Sequence, residues 1–176
     1  MFFDDGVWHE VGQFIGGSVR DGRIGSAVAA GYGRVQGRMV AAYAQDFSVL
    51  GGTLGKVEGD KIVDLIDRGI RMRIPIVGIQ DSGGARIQEA SSLWRSTAVF
   101  SRRRARPRVW FPRFRSFCPC AGGAVYQPAL TDFIVMTREN SHMFVTGPDV
   151  VAATTGEKVT LDELGGAAIH NFQSGV

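Results

Sequence analysis

The chain has few of the residues that usually build metal centres and disulfide frameworks. Only two of its 176 residues are cysteine, and three are histidine. Cys118 and Cys120 stand one residue apart, where a bridge would be badly strained, and no second pair completes a zinc site. The histidines, His9, His142 and His170, lack metal-ligand spacing. These shortages predict a protein without structural metal or disulfide, in a reducing, cytoplasmic compartment.

Long apolar runs are also absent. No stretch reaches the roughly 18–20 apolar residues that a membrane helix needs. The first ten residues, MFFDDGVWHE, lack a basic region followed by an apolar one, so we expect neither a secretory signal nor membrane association. With 44% hydrophobic residues, the chain is long enough to bury the core of one ordinary domain.

Acidic residues are missing from one stretch, 90–118, which holds eight of the arginines. Outside it, 12 Lys and Arg stand against 17 Asp and Glu, so the rest of the protein is acidic and we do not expect nucleic-acid binding. The letters SRRRARPRVWFPRFRSF follow neither the strand nor the helix period. Three interpretations are open: a solvated basic loop, an arginine-rich arm for RNA or phosphate, and a local shift of reading frame.

The remaining patterns predict an α/β domain. Residues 7–15 and 27–45 read as β-structure, with a hairpin turn in VQGRM, and 46–55 reads as a glycine-rich loop. A helix is predicted at about 57–72, where Ile62, Ile66 and Ile70 repeat every fourth residue. IPIVGI and FIVM are typical of buried strands, and TLDEL begins a last short helix. A hairpin followed by strand–loop–helix units places candidate sites on loops beyond the strand ends.

Two glycine loops share one design, a buried strand followed by Gly-Gly and a helix start. They are Gly83-Gly84-Ala85 and Gly122-Gly123-Ala124. Adjacent glycines let a backbone approach a ligand closely, and N–H groups at a helix start favour negative charge. If the loops face each other, they form an oxyanion hole. Spacing alone does not separate this hypothesis from two tight strand-to-helix turns.

The letters DSGG also surround the nucleophile of chymotrypsin-like proteases, which raises the question of Ser82. A serine nucleophile needs a histidine within hydrogen-bond reach, and none of the three stands in a recognisable context. We therefore predict that Ser82 is a bystander and that backbone N–H groups are the working part of the loop.

Five ordered motifs resemble the carboxyltransferase (β) subunits of biotin-dependent acyl-CoA carboxylases, above all the propionyl-CoA and methylmalonyl-CoA group. They are DFSVLGGTLG, IQDSGGARIQE, PCAGGAVYQPALTDF, MFVTGPDVV and TGEKVTLDELGGA. The resemblance runs in register from about residue 27 to the end, apart from 90–118. It implies a crotonase-like (ClpP/crotonase) α/β fold, a spiral of ββα units that is here an incomplete single domain.

The resemblance also implies a reaction, the transfer of a carboxyl group from carboxybiotin to the α-carbon of an acyl-CoA. Backbone N–H groups of Gly84 or Ala85, and of Gly122 or Gly123, would then hold the enolate, with Ala85 and Gly122 the first choice. The implied substrate-binding residues are Gly51, Gly52, Arg86 and Tyr126. The implied cofactor is biotin on a biotin carboxylase or carrier partner, coenzyme A carries the substrate, and relatives form homo-oligomers.

The chain departs from this family in length, since family chains are roughly three times as long and carry a second crotonase-like half. We therefore expect 1–176 to be a partial N-terminal, acyl-CoA-binding domain that is inactive alone. Two alternatives are a subunit of a biotin-dependent acyl-CoA decarboxylase and a non-catalytic, decayed fragment with an arginine-rich segment.

The anomalous stretch, about 94–118, predicts a compensated frameshift. Residues 110–117 can be encoded by bases that, when read two bases later, give VPQISVI. Relatives carry approximately these letters at this position, where the flanking pattern demands a buried strand. If the arginine-rich translation is genuine, we expect the domain to lose that strand and the helix after the first glycine loop, because eight arginines cannot be buried unpaired.

Overall fold

The computed structural model describes residues 2–15, 25–86, 89, 113–116 and 120–175, and for 113–116 it describes the backbone. The strands are β1 (Trp8–Glu10), β2 (Val28–Val35), β3 (Arg38–Gln45), β4 (Ile76–Ile79), β5 (Arg113–Ser116), β6 (Cys120–Ala121), β7 (Phe133–Val135) and β8 (Met143–Phe144). The α-helices are α1 (Lys56–Met72), α2 (Tyr126–Ala129), α3 (Pro148–Thr155), α4 (Leu161–Gly165) and α5 (Ala167–Ile169), and α5 leads into a π-helix at His170–Ser174. This order confirms the predicted α/β class.

Six strands form one sheet in the order β1-β2-β3-β4-β5-β7, and β6 pairs with β8 in a second, two-stranded sheet. The pairs β1–β2 and β2–β3 are antiparallel, while β3, β4, β5 and β7 run parallel to one another. The carboxyl ends of the parallel strands therefore share one edge of the sheet, which is where ligands bind in open α/β sheets.

The predicted hairpin is confirmed. Strands β2 and β3 pair from Val28 with Gln45 to Val35 with Arg38. The two-residue turn has positive φ at both positions, +50° at Gln36 and +76° at Gly37, which suits the right-handed twist of the strands. The predicted strand at 7–15 is shorter than expected, since only Trp8–Glu10 pairs with the sheet.

Helix α1 buries the predicted apolar stripe against the hairpin. Ile62, Leu65 and Ile66 are at most 5% exposed and belong to the main core cluster, while Ile70 packs against it partly buried. The helix ends at Met72, with Arg73 in the left-handed conformation and Pro75 two residues further on. Glu58, in the first turn of the helix, is buried and caps the helix start by accepting the N–H of Gly55.

The strand predicted from FIVM exists, but the expectation that it is buried is wrong. Phe133 and Val135 are about half exposed, and the described residues show β7 paired on one side only, with β5. An edge strand has one neighbouring strand instead of two, so its apolar side chains can remain exposed to solvent.

The backbone of the anomalous stretch enters the sheet at 113–116. Strand β5 pairs in parallel with β4 on one side and β7 on the other, so the expected loss of a strand at this position does not occur. The expected loss of the helix after the first glycine loop concerns residues outside those described.

Within the described residues, no helix combines the length and the apolar character that crossing a membrane requires. The same residues contain no group of three or more His, Cys, Asp and Glu side chains arranged to hold a metal ion.

Candidate active site

The first glycine loop leaves β4 at the shared carboxyl edge, and Ser82 shapes it. The Ser82 side chain is 1% exposed, and its Oγ accepts the N–H of Gly84 at 3.1 Å. This bond supports a left-handed-region φ of +116° at Gly84, which favours glycine. This hydroxyl is engaged with its own loop and has a structural place here, and the prediction that Ser82 is not a nucleophile stays a prediction.

Most other donors of this loop are also engaged. The N–H of Gly83 donates to the carbonyl of Gly51 at 2.9 Å, and the N–H of Arg86 donates to the carbonyl of Leu54 at 2.9 Å. Among the described residues, none accepts a hydrogen bond from the N–H of Ala85. The sequence left the choice between the N–H of Gly84 and the N–H of Ala85 open. In the structure the N–H of Gly84 is already hydrogen-bonded, whereas that of Ala85 is available.

The second glycine loop follows β6 and is joined to the first. The N–H of Ala121 donates to the carbonyl of Ser82 at 3.3 Å. A 3₁₀ turn then runs over Gly122–Val125, so Gly122 and Gly123 stand at its start, where N–H groups have no partner within the turn. In the β6–β8 ladder, the pairing of Ala121 with Phe144 directs the N–H of Gly122 toward the carbonyl of Phe144. Among the described loop residues, none accepts a hydrogen bond from the N–H of Gly123.

The two loops lie in direct contact. A Cβ atom added at Gly84 would stand 2.9 Å from the carbonyl oxygen of Ala121, so a side chain there would collide with the second loop. A Cβ atom added at Gly123 would stand 3.7 Å from the Cβ of Ala85. The structure thus brings together the four residues predicted as catalytic. That their N–H groups form an oxyanion site stays a prediction, and the N–H of Gly84 already donates to Ser82.

The predicted substrate residues Gly51 and Gly52 support the first loop from one side. Gly52 is buried with a φ of +61°, and a Cβ atom there would collide with the carbonyl oxygen of Asp81. The Gln45 amide donates to the carbonyl of Gly52 at 3.1 Å and fixes this close approach. Substrate binding by the two glycines stays a prediction, because these contacts are internal to the fold.

Arg86, also predicted to bind substrate, is held in an ion-pair network. Its guanidinium donates to Glu58 at 3.1 Å, to Glu89 at 2.9 Å and to the carbonyl of Thr53 at 3.1 Å. The N–H of Lys56 and then the Arg86 guanidinium hold the pKa of Glu89 below its ordinary value. These bonds tie the exit of the first loop to the start of α1, and a role toward substrate stays a prediction.

Two polar side chains beside the loops have no hydrogen bond to another described residue. Asp81 stands at the start of the first loop, where partial burial, followed by the charge of Asp46, raises the pKa of its carboxyl group. Tyr126, predicted to contact substrate, follows the second loop at the start of α2 and is 53% exposed. Its position next to the loops is compatible with ligand contact.

Sequence reasoning missed the buried polar residues around the loops. Glu58, Gln80 and Gln127 are each at most 9% exposed, and all are hydrogen-bonded. Their positions in the sequence could have revealed two of them, because Gln80 directly precedes the first loop and Gln127 closely follows the second. Buried polar side chains beside a site are commonly part of its framework.

Comparison with known proteins identifies the family. The family model described as the carboxyl transferase domain matches residues 1–176. The chain belongs to the carboxyl transferase domain family. It is 44% identical over 182 residues to the propionyl-CoA carboxylase carboxyltransferase subunit of Haloferax mediterranei, an alignment that covers 99% of this chain and 35% of that protein.

Another relative has a decarboxylase name. The chain is 45% identical over 181 residues to the methylmalonyl-CoA decarboxylase subunit alpha of Veillonella parvula, covering 99% of this chain and 36% of that one. Carboxyltransferase family members therefore match this chain equally well whether they are named carboxylase or decarboxylase. The chain spans about a third of the length of both relatives.

The fold matches a solved structure of transcarboxylase 12S, a hexamer with methylmalonyl-coenzyme A and methylmalonic acid bound. The TM-score is 0.91 at 39% identity, and the alignment covers 99% of this chain and 35% of that chain. The expected crotonase-like α/β class is thereby confirmed, and the chain accounts for part of such a subunit.

Proposed function

We propose that this chain holds an acyl-CoA thioester for the transfer of a carboxyl group between carboxybiotin and the α-carbon of the acyl group. The observation that carries the proposal is the contact between the two glycine loops, which brings the N–H of Ala85, unbonded among the described residues, close to Gly122 and Gly123 at the start of a 3₁₀ turn. The names of the relatives support the reaction class.

In the proposed mechanism, the thioester carbonyl oxygen accepts hydrogen bonds from the N–H of Ala85 and of Gly122. When the α-proton leaves, negative charge develops on this oxygen, and the two N–H groups stabilise the resulting enolate. One such donor typically contributes on the order of 3 kcal/mol to the transition state. Gly123 is the second candidate in its loop, because its N–H also stands at the start of the 3₁₀ turn.

The loops fit a reaction whose proton acceptor arrives with another ligand. Their side chains are small, the ionisable ones are Asp81 and Arg86, and Arg86 is engaged with Glu58 and Glu89. Biotin, when bound, supplies the carboxyl group and, after its loss, a ureido nitrogen that accepts a proton. We propose that this chain orients the acyl-CoA and that a second crotonase-like half completes the biotin site.

The partners follow from the same proposal. We propose a biotin carboxylase or biotin carrier subunit as the source of carboxybiotin and a homo-oligomer of carboxyltransferase subunits in the cytoplasm. The solved relative named transcarboxylase 12S is a hexamer, which supports assembly into a multimer. The 176 residues alone are expected to bind acyl-CoA without completing carboxyl transfer.

A second candidate function is acyl-CoA decarboxylation in a biotin-dependent decarboxylase. The 45% identity to the subunit of Veillonella parvula favours it as much as the carboxylase relatives favour the first candidate. The same enolate forms in both directions, so the two functions place the same demands on the loops. A decayed, non-catalytic fragment is the third candidate and predicts salt-dependent nucleic-acid binding without CoA binding.

Amide spectroscopy tests the proposed function. Propionyl-CoA added to the ¹⁵N-labelled chain should shift the amide protons of Ala85 and Gly122, whereas free CoA, which has no thioester carbonyl, should not. The amides of Gly83 and Arg86 are internal controls, because they already donate within the protein. Equal shifts with both ligands, or none at Ala85 and Gly122, would contradict the proposal.

We also propose that residues 94–118 result from a compensated frameshift, caused by a sequencing error or a decayed gene. In VPQISVI, the letters ISVI align with β5, which pairs in parallel on both sides. Parallel strands are typically apolar, which favours ISVI over the translated RFRS. Resequencing of the coding DNA decides this, since an intact frame through Arg102–Arg104 would exclude the frameshift.

A further inference from the structure

The side chain of Gln80 links the sheet to both glycine loops. It stands at the end of β4, directly before the first loop, and is 2% exposed. Its Nε2 donates to the Tyr43 hydroxyl at 3.1 Å and to the side-chain carbonyl of Gln127 at 3.2 Å. Because Gln127 lies on α2, just after the second loop, one side chain reaches the elements that carry both loops.

The other end of the same amide contacts the strand that leads into the second loop. The Cys120 thiol donates to Gln80 Oε1 at 3.3 Å, and Cys120 is 2% exposed. Gln80 therefore holds the second glycine pair from both sides, through Cys120 before it and Gln127 after it. Two donor hydrogens and one acceptor site of the amide are engaged, which fixes its orientation.

Tyr43 anchors this network in the core. Its side chain is 1% exposed, and a Cβ atom added at Gly78 would stand 2.6 Å from its hydroxyl oxygen. The phenol thus occupies the space that a side chain on β4 would fill. The hydroxyl that receives the Gln80 amide is held in place by the sheet itself.

An apolar side chain of similar volume could also fill this buried space, so burial alone does not explain the amide. Hydrogen bonds differ from apolar contacts in being directional, and a fully bonded buried network specifies one arrangement. The arrangement specified here is the offset between the two loops.

We propose that Gln80 is a positioning residue that sets the distance between the N–H of Ala85 and those of Gly122 and Gly123. This inference rests on the proposed function, since it assigns Gln80 to the same oxyanion site. Gln80 acts through the loops and does not touch the thioester. Its removal should impair recognition of the carbonyl while leaving the rest of the CoA interaction unchanged.

The test replaces Gln80 in the full 176-residue chain by an isosteric apolar residue, Gln80→Met. Lys61→Met is the matched control, because Lys61 is 4% exposed and donates to the carbonyl of Val28 at 2.8 Å, within the main core. Both variants lose buried hydrogen bonds, but only the first disturbs the link between the loops.

Two readouts separate positioning from general stability. The first is the ratio of dissociation constants for S-propyl-CoA, a thioether without a carbonyl, and propionyl-CoA. The ratio should fall about threefold or more in Gln80→Met, as expected when a hydrogen bond is weakened, and stay unchanged in Lys61→Met. The second is the ligand-free amide spectrum, in which Gly122 and Gly123 should shift in Gln80→Met only.

Each outcome is decisive for one of the two claims. If the unaltered chain shows no preference for the thioester, the proposed function fails, and the ligand-free amide spectrum alone decides whether Gln80 sets the loops. If the preference exists and Gln80→Met retains it while folded, the positioning role is overturned and the proposed function stands. Unchanged amides of Gly122 and Gly123 in Gln80→Met also overturn the positioning role.

Discussion

Residues 25–86 and residues 120–175 differ in how they bury apolar surface. The first region forms one large cluster of buried side chains: Val28, Ala30, Ala41, Tyr43, Leu54, Ile62, Leu65, Ile66 and Ile76. The cluster of the second region has three buried members, Cys120, Val125 and Met143. The first region is therefore a scaffold with its own core, whereas the second depends more on its links to that scaffold.

The second region also leaves many apolar side chains in contact with solvent. Those at least 46% exposed are Tyr126, Leu130, Phe133, Val135, Val145, Val150, Leu161 and Phe172. Helix α3 has no buried residue. One glycine loop is thus rooted in the well-packed region and the other in the loosely packed one. The bonds that join Ser82 to Ala121 and Gln80 to Gln127 connect the two regions, and the proposed site depends on them.

The largest effect is expected at the support of the first loop, with Gly52→Ala. A methyl group there would collide with the carbonyl oxygen of Asp81, and φ is +61°, so the free energy of unfolding should fall by about 3–5 kcal/mol. Gly51→Ala is the control, since its φ is +65° but no atom lies within 4 Å of the added Cβ. It should cost about 1 kcal/mol. Equal costs in urea unfolding would show that the contact with Asp81 is unimportant.

The two cores are compared directly by cavity-forming variants. Leu65→Ala in the first region should lower the free energy of unfolding by about 3 kcal/mol, because Leu65 is fully buried in the large cluster. Met143→Ala in the second region should cost about 2 kcal/mol, since a small cluster relaxes more easily around the cavity. Urea unfolding measures both, and a larger cost at Met143 would reverse the proposed ranking of the two regions.

A smaller, pH-dependent effect is expected from Glu89→Gln, which weakens the tie between the loop exit and α1. The pKa of Glu89 is lowered in the folded protein, so its ionised form stabilises the fold above the unfolded pKa of about 4.3. The loss should stay below about 1 kcal/mol at neutral pH, because the side chain is partly exposed and screened. It should vanish as the pH falls through the lowered pKa. Thermal unfolding between pH 3 and 7 measures this, and a pH-independent loss would contradict it.

The smallest effect has the opposite sign and concerns Asp81→Asn. Partial burial and the charge of Asp46 raise the pKa of Asp81, so its ionised form opposes folding at neutral pH. The variant should slightly raise the melting temperature at pH 7, and the gain should disappear as the pH falls below the raised pKa, where Asp81 is already neutral. A lower melting temperature at pH 7 would show that the carboxylate has a stabilising partner.

Periodicity and turn residues were sufficient to predict those elements whose structure depends on residues close together in the sequence. The alternation around VQGRM predicted the hairpin, and the isoleucine repeat predicted α1, because the 2 and 3.6 periods fix which side chains share a face. The apolar pattern of FIVM predicted burial wrongly, because the burial of a strand depends on its neighbours in the sheet. The sequence of the strand alone does not specify those neighbours.

The sequence by itself determined the α/β class, the two Gly-Gly loops and the resemblance to carboxyltransferases, because these reside in short ordered motifs. Only the tertiary structure decided which N–H groups the loops leave available. The N–H of Gly84 donates to the Ser82 hydroxyl and the N–H of Gly83 donates to the carbonyl of Gly51. The N–H of Ala85 has no acceptor among the described residues. Likewise, only the fold revealed Gln80 between the loops, bonded to Gln127 from 47 residues away. Hydrogen-bond partners this distant in sequence are set by packing, which no local pattern encodes.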